Sequence, residues 1–246
     1  IHIWQSAAAI LFLLLASSVY LSTVGTKAET DLLQQYIPIA EMRSLTLPDG
    51  TKVQLNSKST LLYPHEFTGD SRSVFLLGEA NFKVKPDKKR PFIVKSNDLQ
   101  ITALGTEFNV SAYPESQEIA TTLISGSIRV AYNNLTTSVI LHPNEQFAYN
   151  RNNKKYDLSN PDMDDVTAWQ RGELVLQKMT LTDIINVLER KYPYAFVYSI
   201  KNLKNDRFSF RFKDNAPLEE VMEIIVNVVG QMDYRIVEDK CYLTRI

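Results

Sequence analysis

The string LGEANFKV at residues 77–84 decides the fold of the first half of the chain. Apolar and polar side chains alternate after Gly78, as they do on a strand that is buried on one face. The same order of apolar run, glycine and apolar run returns as LGTEFNV at residues 104–110 and as SGSIRV at residues 125–130. A glycine between two strand runs marks a bulge or a tight corner. We therefore expect these glycines to lie at corners that need a positive φ angle or a close backbone approach; they are Gly78, Gly105 and Gly126.

Strand patterns extend outward from this repeat over residues 36–149. Short runs with period-two alternation are separated by turn signals, of which Pro48-Asp49-Gly50 is one. An amphipathic pattern of three helical turns does not occur in this stretch, so the sequence predicts an all-β domain at residues 27–150. The glycines of the repeat are 27 and then 21 residues apart. Repeated corners are typical of a solenoid, but the unequal spacing also fits a sandwich, and both architectures stay open.

Residues 151–168 are polar, contain Pro161 and show no periodicity, which predicts a linker. Three aspartates in this stretch raise the question of a calcium site; they are Asp162, Asp164 and Asp165. The stretch has no loop glycine and no later glutamate at the spacing that a calcium loop needs. A solvated linker or the beginning of a helix is the interpretation that the pattern favours.

Residues 169–246 switch to alternating helix and strand patterns. An apolar stripe with the spacing i, i+3, i+4, i+7 predicts a helix after Thr180, which together with Asp183 resembles a capping box. A second stripe lies 37 residues further on. The first stripe consists of Leu181, Ile184, Ile185 and Leu188, and the second of Leu218, Val221, Met222 and Ile225. Since each helix lies between strand patterns, we expect a small α+β domain built from a duplicated βαβ unit.

The front of the chain is apolar. Residues 1–26 contain no charged side chain, and a helix over residues 3–24 would span about 33 Å, enough to cross a hydrocarbon core. We therefore expect a transmembrane helix at residues 1–26; a cleaved signal peptide and a buried core helix are the alternatives. Because position 1 is Ile rather than Met, we expect the chain to be a fragment.

The composition offers little material for chemistry. The 27 basic and 28 acidic side chains leave a net charge of −1, which argues against direct binding of nucleic acid. The one cysteine, Cys241, excludes a disulfide framework and a multi-cysteine zinc site, and the three histidines are far apart. The sequence contains no nucleophile elbow, phosphate loop or dinucleotide motif. We therefore expect a protein that is not an enzyme and that has no catalytic residue, cofactor or metal site.

Four strings resemble the FecR family, whose members regulate extracytoplasmic-function sigma factors. They occur in the order expected for the family and read LPDGTKVQLN at 47–56, LGEANFKV at 77–84, ITALGTEFNV at 101–110 and LISGSIRV at 123–130. Two further stretches, WQRGEL at 169–174 and residues 181–198, resemble the domain that follows in Bacteroidetes members. That domain is similar to the short N-terminal signalling module of secretins and TonB-dependent transducers. The family's late Pro-Gly-Gln turn appears here with Asn144 after Pro143, and Asn can still adopt the left-handed conformation.

The resemblance implies a function and a location. An outer-membrane TonB-dependent transducer senses an iron carrier or a glycan, and its periplasmic signalling domain contacts the regulator. The regulator would be a single-pass inner-membrane protein with the residues after about 26 in the periplasm. It would act on the sigma factor through a cytoplasmic segment that precedes this sequence, often with regulated proteolysis.

The expected contact with the transducer lies on the C-terminal domain. Phe208, Phe210 and Phe212 alternate with Ser209, Arg211 and Lys213, so this stretch predicts a strand with one apolar and one wet face. If the strand lies at a sheet edge, it offers a partner a place to add a strand, and the two cations would complement an acidic partner. We therefore predict Ser209, Arg211 and Lys213 as partner-binding residues; a central strand with solvated side chains is the alternative.

Two functions of other classes compete with the regulator. One is a surface- or periplasm-anchored module that binds glycans or mediates adhesion, because β-rich repeats also build such proteins. The other is a periplasmic hydrolase on a β scaffold, which would need a convergent pair of acids in a cleft. Glu79 and Glu107, near two of the repeat glycines, are the pair that stacked repeats would bring together.

Overall fold

The structure, a computed structural model, describes residues 12–18, 31–96, 98–199, 206–214 and 216–245. The chain forms two compact units, residues 1–32 and residues 33–246. In the first unit residues 12–18 are helical and exposed. The second unit contains almost all of the described residues.

The expected fold class, which begins with a transmembrane helix at residues 1–26, is wrong. Within the described residues no helix is both long enough and apolar enough to span a membrane. The seven helical residues 12–18 would extend only about 10 Å at 1.5 Å per residue. The rest of that stretch, 1–11 and 19–26, lies outside the described residues.

Within the described residues, the first part of the second unit is a single sheet of thirteen strands. The strands are β1 Leu32–Tyr36, β2 Arg43–Thr46, β3 Lys52–Leu55, β4 Thr60–Pro64, β5 Arg72–Lys83, β6 Phe92–Ser96, β7 Leu99–Ala103, β8 Glu107–Ala112, β9 Glu118–Ser125, β10 Ile128–Tyr132, β11 Thr137–Leu141, β12 Gln146–Asn150 and β13 Tyr156–Ser159. The main path of the sheet runs β11-β10-β7-β6-β5-β8-β9-β12-β13. Strand β13 and the helix that follows it lie within the stretch predicted as a linker.

Strand β5 joins the two halves of the sheet. Its first half pairs with β4 and, in parallel, with β6, whereas its second half pairs with β3 and β8. Gly78 lies where the strand passes from one set of neighbours to the other, and its φ is 106°. Gly105 and Gly126 have φ of 153° and 92°, so the prediction of positive φ at the repeat glycines is confirmed.

One apolar core fills the space between the two halves. The inward residues of both contribute to it, and the ring of Phe82 in one half stacks on Phe108 at 5.4 Å and approaches Phe92 of the other half at 6.0 Å. All pairs along the main path are antiparallel except β5 with β6. Because solenoid coils stack parallel strands, this pattern favours a continuous sheet folded over its own core instead of a solenoid.

The rest of the unit combines short helices with two small sheets. Its helices are α1 Met163–Thr167, a 3₁₀ turn at Ala168–Arg171, α2 Leu181–Lys191 and α3 Leu218–Val229, and its strands are β14 Leu174–Thr180, β15 Ala195–Val197, β16 Arg207–Phe212, β17 Met232–Val237 and β18 Lys240–Arg245. Strand β14 pairs with β16, and β18 lies between β15 and β17. Both predicted helical stripes are buried, in one core with side chains of both sheets.

The duplicated βαβ unit requires a correction. The order strand, helix, strand occurs twice along the chain, but the two strands of each unit lie in different sheets. The first strands of the two units, β14 and β16, pair with each other antiparallel, and the second strands lie on either side of β18. The helices therefore do not connect parallel neighbours, which is what a βαβ unit requires.

Candidate partner-binding surface

Strand β16 lies at the edge of its sheet. Among the described residues it pairs only with β14, so its other edge has no strand beside it. Phe208, Phe210 and Phe212 pack on the core, with neighbouring ring centroids 6.3 and 5.9 Å apart. The intervening side chains face outward, as the alternation predicts. The outward residues are Ser209, Arg211 and Lys213, and all three are exposed.

Ser209 has a structural task within the sheet. The pairing of β14 with β16 shifts between Leu176 and Met179, and Lys178 in this bulge has a φ of 51°. The Oγ of Ser209 accepts a hydrogen bond from the backbone N–H of Lys178 at 2.9 Å. The side chain of Arg207 donates to the carbonyl of the same lysine at 2.7 Å. Ser209 therefore accepts a hydrogen bond from a backbone N–H that the bulge takes out of the regular pairing between the two strands.

Arg211 binds three carboxylates of its own chain. Its guanidinium contacts Asp164 at 2.7 Å, Glu173 at 2.9 Å and also Asp165. Arg171 joins the cluster through Asp164 at 2.8 Å and Glu173 at 2.9 Å. The hydrogen bond from Arg211 holds the pKa of the Asp164 carboxyl below its usual value, and the hydrogen bond to Asp164 raises the pKa of Arg211. Two of the aspartates weighed as calcium ligands thus bind arginines.

Lys213 is the predicted residue that remains available to a partner. Its side chain is exposed just beyond the end of β16 and makes no hydrogen bond or ion pair with any described residue. The structure thus brings the three predicted residues onto one exposed edge, but it engages the side chains of Ser209 and Arg211 within the chain. Asp162, the remaining aspartate of the group, caps α1 by accepting from the N–H of Asp164 at 2.9 Å.

A cleft of about 590 Å³ separates this part of the chain from the large sheet. On its sheet side lies Glu79, whose carboxylate accepts from Asn56 at 2.8 Å and from Asn109 at 2.9 Å. The amide oxygen of Asn109 in turn accepts from the indole N–H of Trp169 at 3.3 Å. Burial raises the pKa of Glu79 above its usual value, although both amides oppose that shift. A chain of polar contacts therefore connects the sheet to the 3₁₀ turn.

Glu79 does not form an acid pair with Glu107. Glu107 lies on β8 opposite Lys83, to which it forms an ion pair at 3.2 Å. Glu79 lies opposite Ser111, four residues further along the same strand. These two residues therefore do not form the convergent pair of acids that a hydrolase needs.

Arg190 makes the second connection across the cleft, and sequence reasoning did not single it out. Its guanidinium donates to Glu115 at 2.7 Å and lies 3.8 Å from the ring centroid of Tyr113. Its carbonyl accepts from the N–H of Ala40 at 3.0 Å. The next residue, Lys191, donates to the carbonyl of Gly172, and burial lowers the pKa of its amine. These partners are far away in sequence, so no local pattern could have indicated the contacts.

The residues that bind metals in proteins do not gather in the part of the chain that the structure describes. No group of three or more His, Cys, Asp or Glu side chains lies close enough to hold an ion there. Cys241 is fully buried in the C-terminal core, and burial raises the pKa of its thiol to about 11. A thiol with such a pKa is inert at neutral pH.

Comparison with known proteins agrees with this architecture. The FecR protein family model matches residues 37–129, and the model of the FecR C-terminal domain matches residues 173–243. The chain belongs to the FecR family. In this FecR-family protein the first match covers most of the large sheet, and the second covers the two small sheets and α2 and α3. No curated protein matches the sequence.

Two solved structures resemble this FecR-family protein over nearly their whole length. Both are crystal structures of a protein from Parabacteroides distasonis ATCC 8503 that is provisionally named an anti-sigma factor, at 1.65 and 2.50 Å resolution. Each is 34% identical in sequence; the TM-scores are 0.81 and 0.82. The alignments cover 87% and 88% of this chain and 99% and 100% of those chains. Family and neighbours together support a role as a regulator.

Proposed function

We propose that this protein is an anti-sigma regulator that controls an extracytoplasmic-function sigma factor and is not an enzyme. The support is its membership of the FecR family, together with the anti-sigma name of a relative that matches both parts of the second unit. The signal comes from a TonB-dependent transducer in the outer membrane, linked to uptake of iron or of a glycan. The body of the protein, after about residue 26, lies in the periplasm at the inner membrane, where the signalling domain of the transducer reaches it.

The contact with the transducer runs along the free edge of β16. The observation that supports this proposal is that β16 has a neighbouring strand on one side only among the described residues. Backbone N–H and C=O groups on an open edge pair readily with an added strand. Lys213 at the end of this edge gives the encounter its charge preference, because its amine is not neutralised by a described residue of its own chain.

A titration of the full chain with the periplasmic signalling domain of the transducer tests the contact. We expect Lys213→Glu to weaken binding at least about fivefold at low salt, since it replaces attraction by repulsion. Lys88→Glu changes the same charge on an exposed loop between β5 and β6 and serves as the control. The proposed edge is wrong if both variants bind like the parent. Arg211→Glu is unsuited to this test because it also breaks the cluster with Asp164 and Glu173.

A reporter driven by the sigma factor tests the regulatory role itself. Deletion of the gene should raise expression of the reporter when the transducer has no ligand, and the gene supplied in trans should lower it again. A reporter that stays unchanged on deletion would contradict the anti-sigma role. A reporter that falls would show that the protein activates the sigma factor instead.

A further inference from the structure

A second cavity lies on the large sheet, away from the surface described above. It has a volume of about 720 Å³, within the range of roughly 300–1,000 Å³ that small-molecule sites occupy. It is formed where the β6–β7 and β10–β11 hairpins end beside the middle of β5. Strand β12 contributes Tyr149 to its wall.

The walls of the cavity expose three large apolar side chains to solvent. Phe75, Leu77 and Leu135 line it with exposed fractions of 41%, 39% and 55%. Phe75 and Leu77 point away from the core, because their neighbours Val74 and Leu76 are the residues that β5 buries. An apolar group that bound here would remove all three side chains from water.

The loop that carries Leu135 is held in an unusual conformation. Asn133, Asn134 and Leu135 have consecutive positive φ angles of 50°, 55° and 65°. Asparagine tolerates this region, whereas a bulky side chain such as leucine rarely adopts it. The loop is fixed by the hydroxyl of Tyr149, which donates to Asn133 at 3.2 Å, and by Thr136, whose hydroxyl donates to the Asn133 carbonyl at 2.7 Å. Strain of this kind persists where the surroundings hold it and clusters at binding sites.

A buried hydroxyl in the wall lacks a hydrogen-bond partner among the described residues. Ser96 is 8% exposed and lines the cavity, and its Oγ makes no hydrogen bond to any described residue. A buried polar atom without a partner is unfavourable, and native structures contain few of them. A polar atom of a ligand in the cavity would satisfy this hydroxyl.

The rim of the cavity carries an excess of positive charge. The amine of Lys95 lies 5.3 Å from the ring centroid of Phe75, and that of Lys154 lies 5.9 Å from the ring centroid of Tyr149. Asp98, the one acid among the described residues of the lining, is already paired with Arg151 at 3.3 Å and with Lys154 at 3.7 Å. Lys95 forms no ion pair with a described residue, so the rim complements a negative group.

We propose that this cavity binds a small amphipathic anion, with an apolar body against Phe75, Leu77 and Leu135 and an acidic head group at Lys95 and Lys154. The volume of the cavity limits the size of the ligand, and the exposed apolar side chains indicate that the ligand has an apolar body. The two lysines indicate that its head group is negatively charged. The site is independent of the proposed contact with a transducer at β16. It would give the large sheet a ligand of its own.

Decanoate tests this proposal, with decanol and decyltrimethylammonium as probes of the same chain length without charge and with the opposite charge. Calorimetric titration of the full chain should show one site for decanoate, with binding at least about tenfold weaker for the other two probes. Lys95→Gln and Lys154→Gln should each weaken decanoate several-fold, while Lys88→Gln, an exposed lysine outside the cavity, should not. Leu135→Ser should weaken decanoate and decanol alike.

Three results would overturn the proposal. They are no decanoate binding at millimolar concentration, equal binding of the cationic probe, and equal effects of the Lys88 and Lys95 substitutions. Melting temperatures of all variants show whether each is folded. If Leu135→Ser does not fold, Ser96→Ala replaces it, because that change removes the hydroxyl and leaves the loop intact; unchanged decanoate affinity in Ser96→Ala would then count against the site.

Discussion

Gly78 shows how one residue allows β5 to serve both halves of the sheet. A Cβ atom at this position would lie 2.4 Å from the Oγ and 2.7 Å from the Cα of Ser59, and the φ of 106° is itself unfavourable for other residues. We expect Gly78→Ala to lower the free energy of unfolding by about 2–4 kcal/mol, because the backbone of Ser59 has to move. Urea unfolding measures this. Gly69→Ala, where no heavy atom lies within 4 Å, is the control, and equal midpoints for the two variants would contradict the prediction.

Glu79 should make the stability of the protein depend on pH in a specific direction. Burial raises the pKa of the Glu79 carboxyl in the folded state above the ordinary 4.5. Just above pH 4.5 the carboxyl is therefore more protonated in the folded chain than in the unfolded chain. The contribution of this residue to stability is therefore greatest at low pH and falls as the pH rises above about 4.5. We expect the parent to lose stability relative to Glu79→Gln between pH 4.5 and 7.5, as measured by urea unfolding at both values. If the unfolding free energy of the parent relative to that of Glu79→Gln stays constant or increases with pH, the prediction is wrong.

At the scale of elements, a buried ion pair fixes the beginning of β5 to the turn between β2 and β3. Arg72 and Asp49 contact each other at 2.6 Å with side chains 1% and 4% exposed. Asp49→Ala would leave the arginine charge buried without its partner, so we expect it to cost about 3–5 kcal/mol of unfolding free energy. Glu41→Ala removes a carboxylate from an exposed pair with Arg43 and should cost at most about 1 kcal/mol. Equal losses in thermal or urea unfolding would refute the assigned role.

The sequence was informative where an element is specified locally. Helix α2 begins after Thr180, whose hydroxyl accepts from the N–H of Asp183 at 3.2 Å and donates to its carboxylate at 2.6 Å, as the capping signal predicts. The late turn keeps its shape because Asn144 adopts a φ of 69°. The strand-helix-strand order in each C-terminal unit was likewise visible.

Pairing between elements was beyond the reach of the sequence. Alternation says which residues of a strand face the core, but it does not say which strand lies beside it. For this reason the pattern could not separate β14 and β15 into different sheets, or show that β5 has four neighbours. The pattern predicted only that Asp49 lies in a turn. It did not indicate the ion pair, because the partner Arg72 is 23 residues away.

At the scale of the whole molecule, the sequence pattern also could not show which distant residues contact the candidate site. The alternation of Phe208, Phe210 and Phe212 predicted the exposed face of β16. The carboxylates that bind Arg211 come from positions 38 to 47 residues earlier, and nothing in the local pattern of β16 indicates them. Side chains that a pattern places on a wet face are thus available to a partner only if distant parts of the chain leave them unpaired.

Arg190 should couple the C-terminal part to the large sheet. Its guanidinium is largely buried, contacts Glu115 and stacks on Tyr113, and Trp169 provides another polar connection across the cleft. We expect Arg190→Met to cost about 1–3 kcal/mol, because it removes a charge-assisted hydrogen bond and a cation–π contact while keeping the apolar bulk. Hydrogen exchange should become faster in α2 and around residues 113–115 together, since each side loses its partner.

The matched control is Arg235→Met. Arg235 also lies over a tyrosine, with its guanidinium 5.7 Å from the ring centroid of Tyr242, but both residues belong to the β17–β18 pair. This change should leave exchange around residues 113–115 as it is in the parent. If the Arg190 variant also leaves it unchanged, or if the control raises it equally, the contacts of Arg190 do not hold the two parts together. The two parts would then be connected through other contacts, among them the hydrogen bond from Trp169 to Asn109 and the backbone hydrogen bond from Ala40 to Arg190, which the substitution leaves in place.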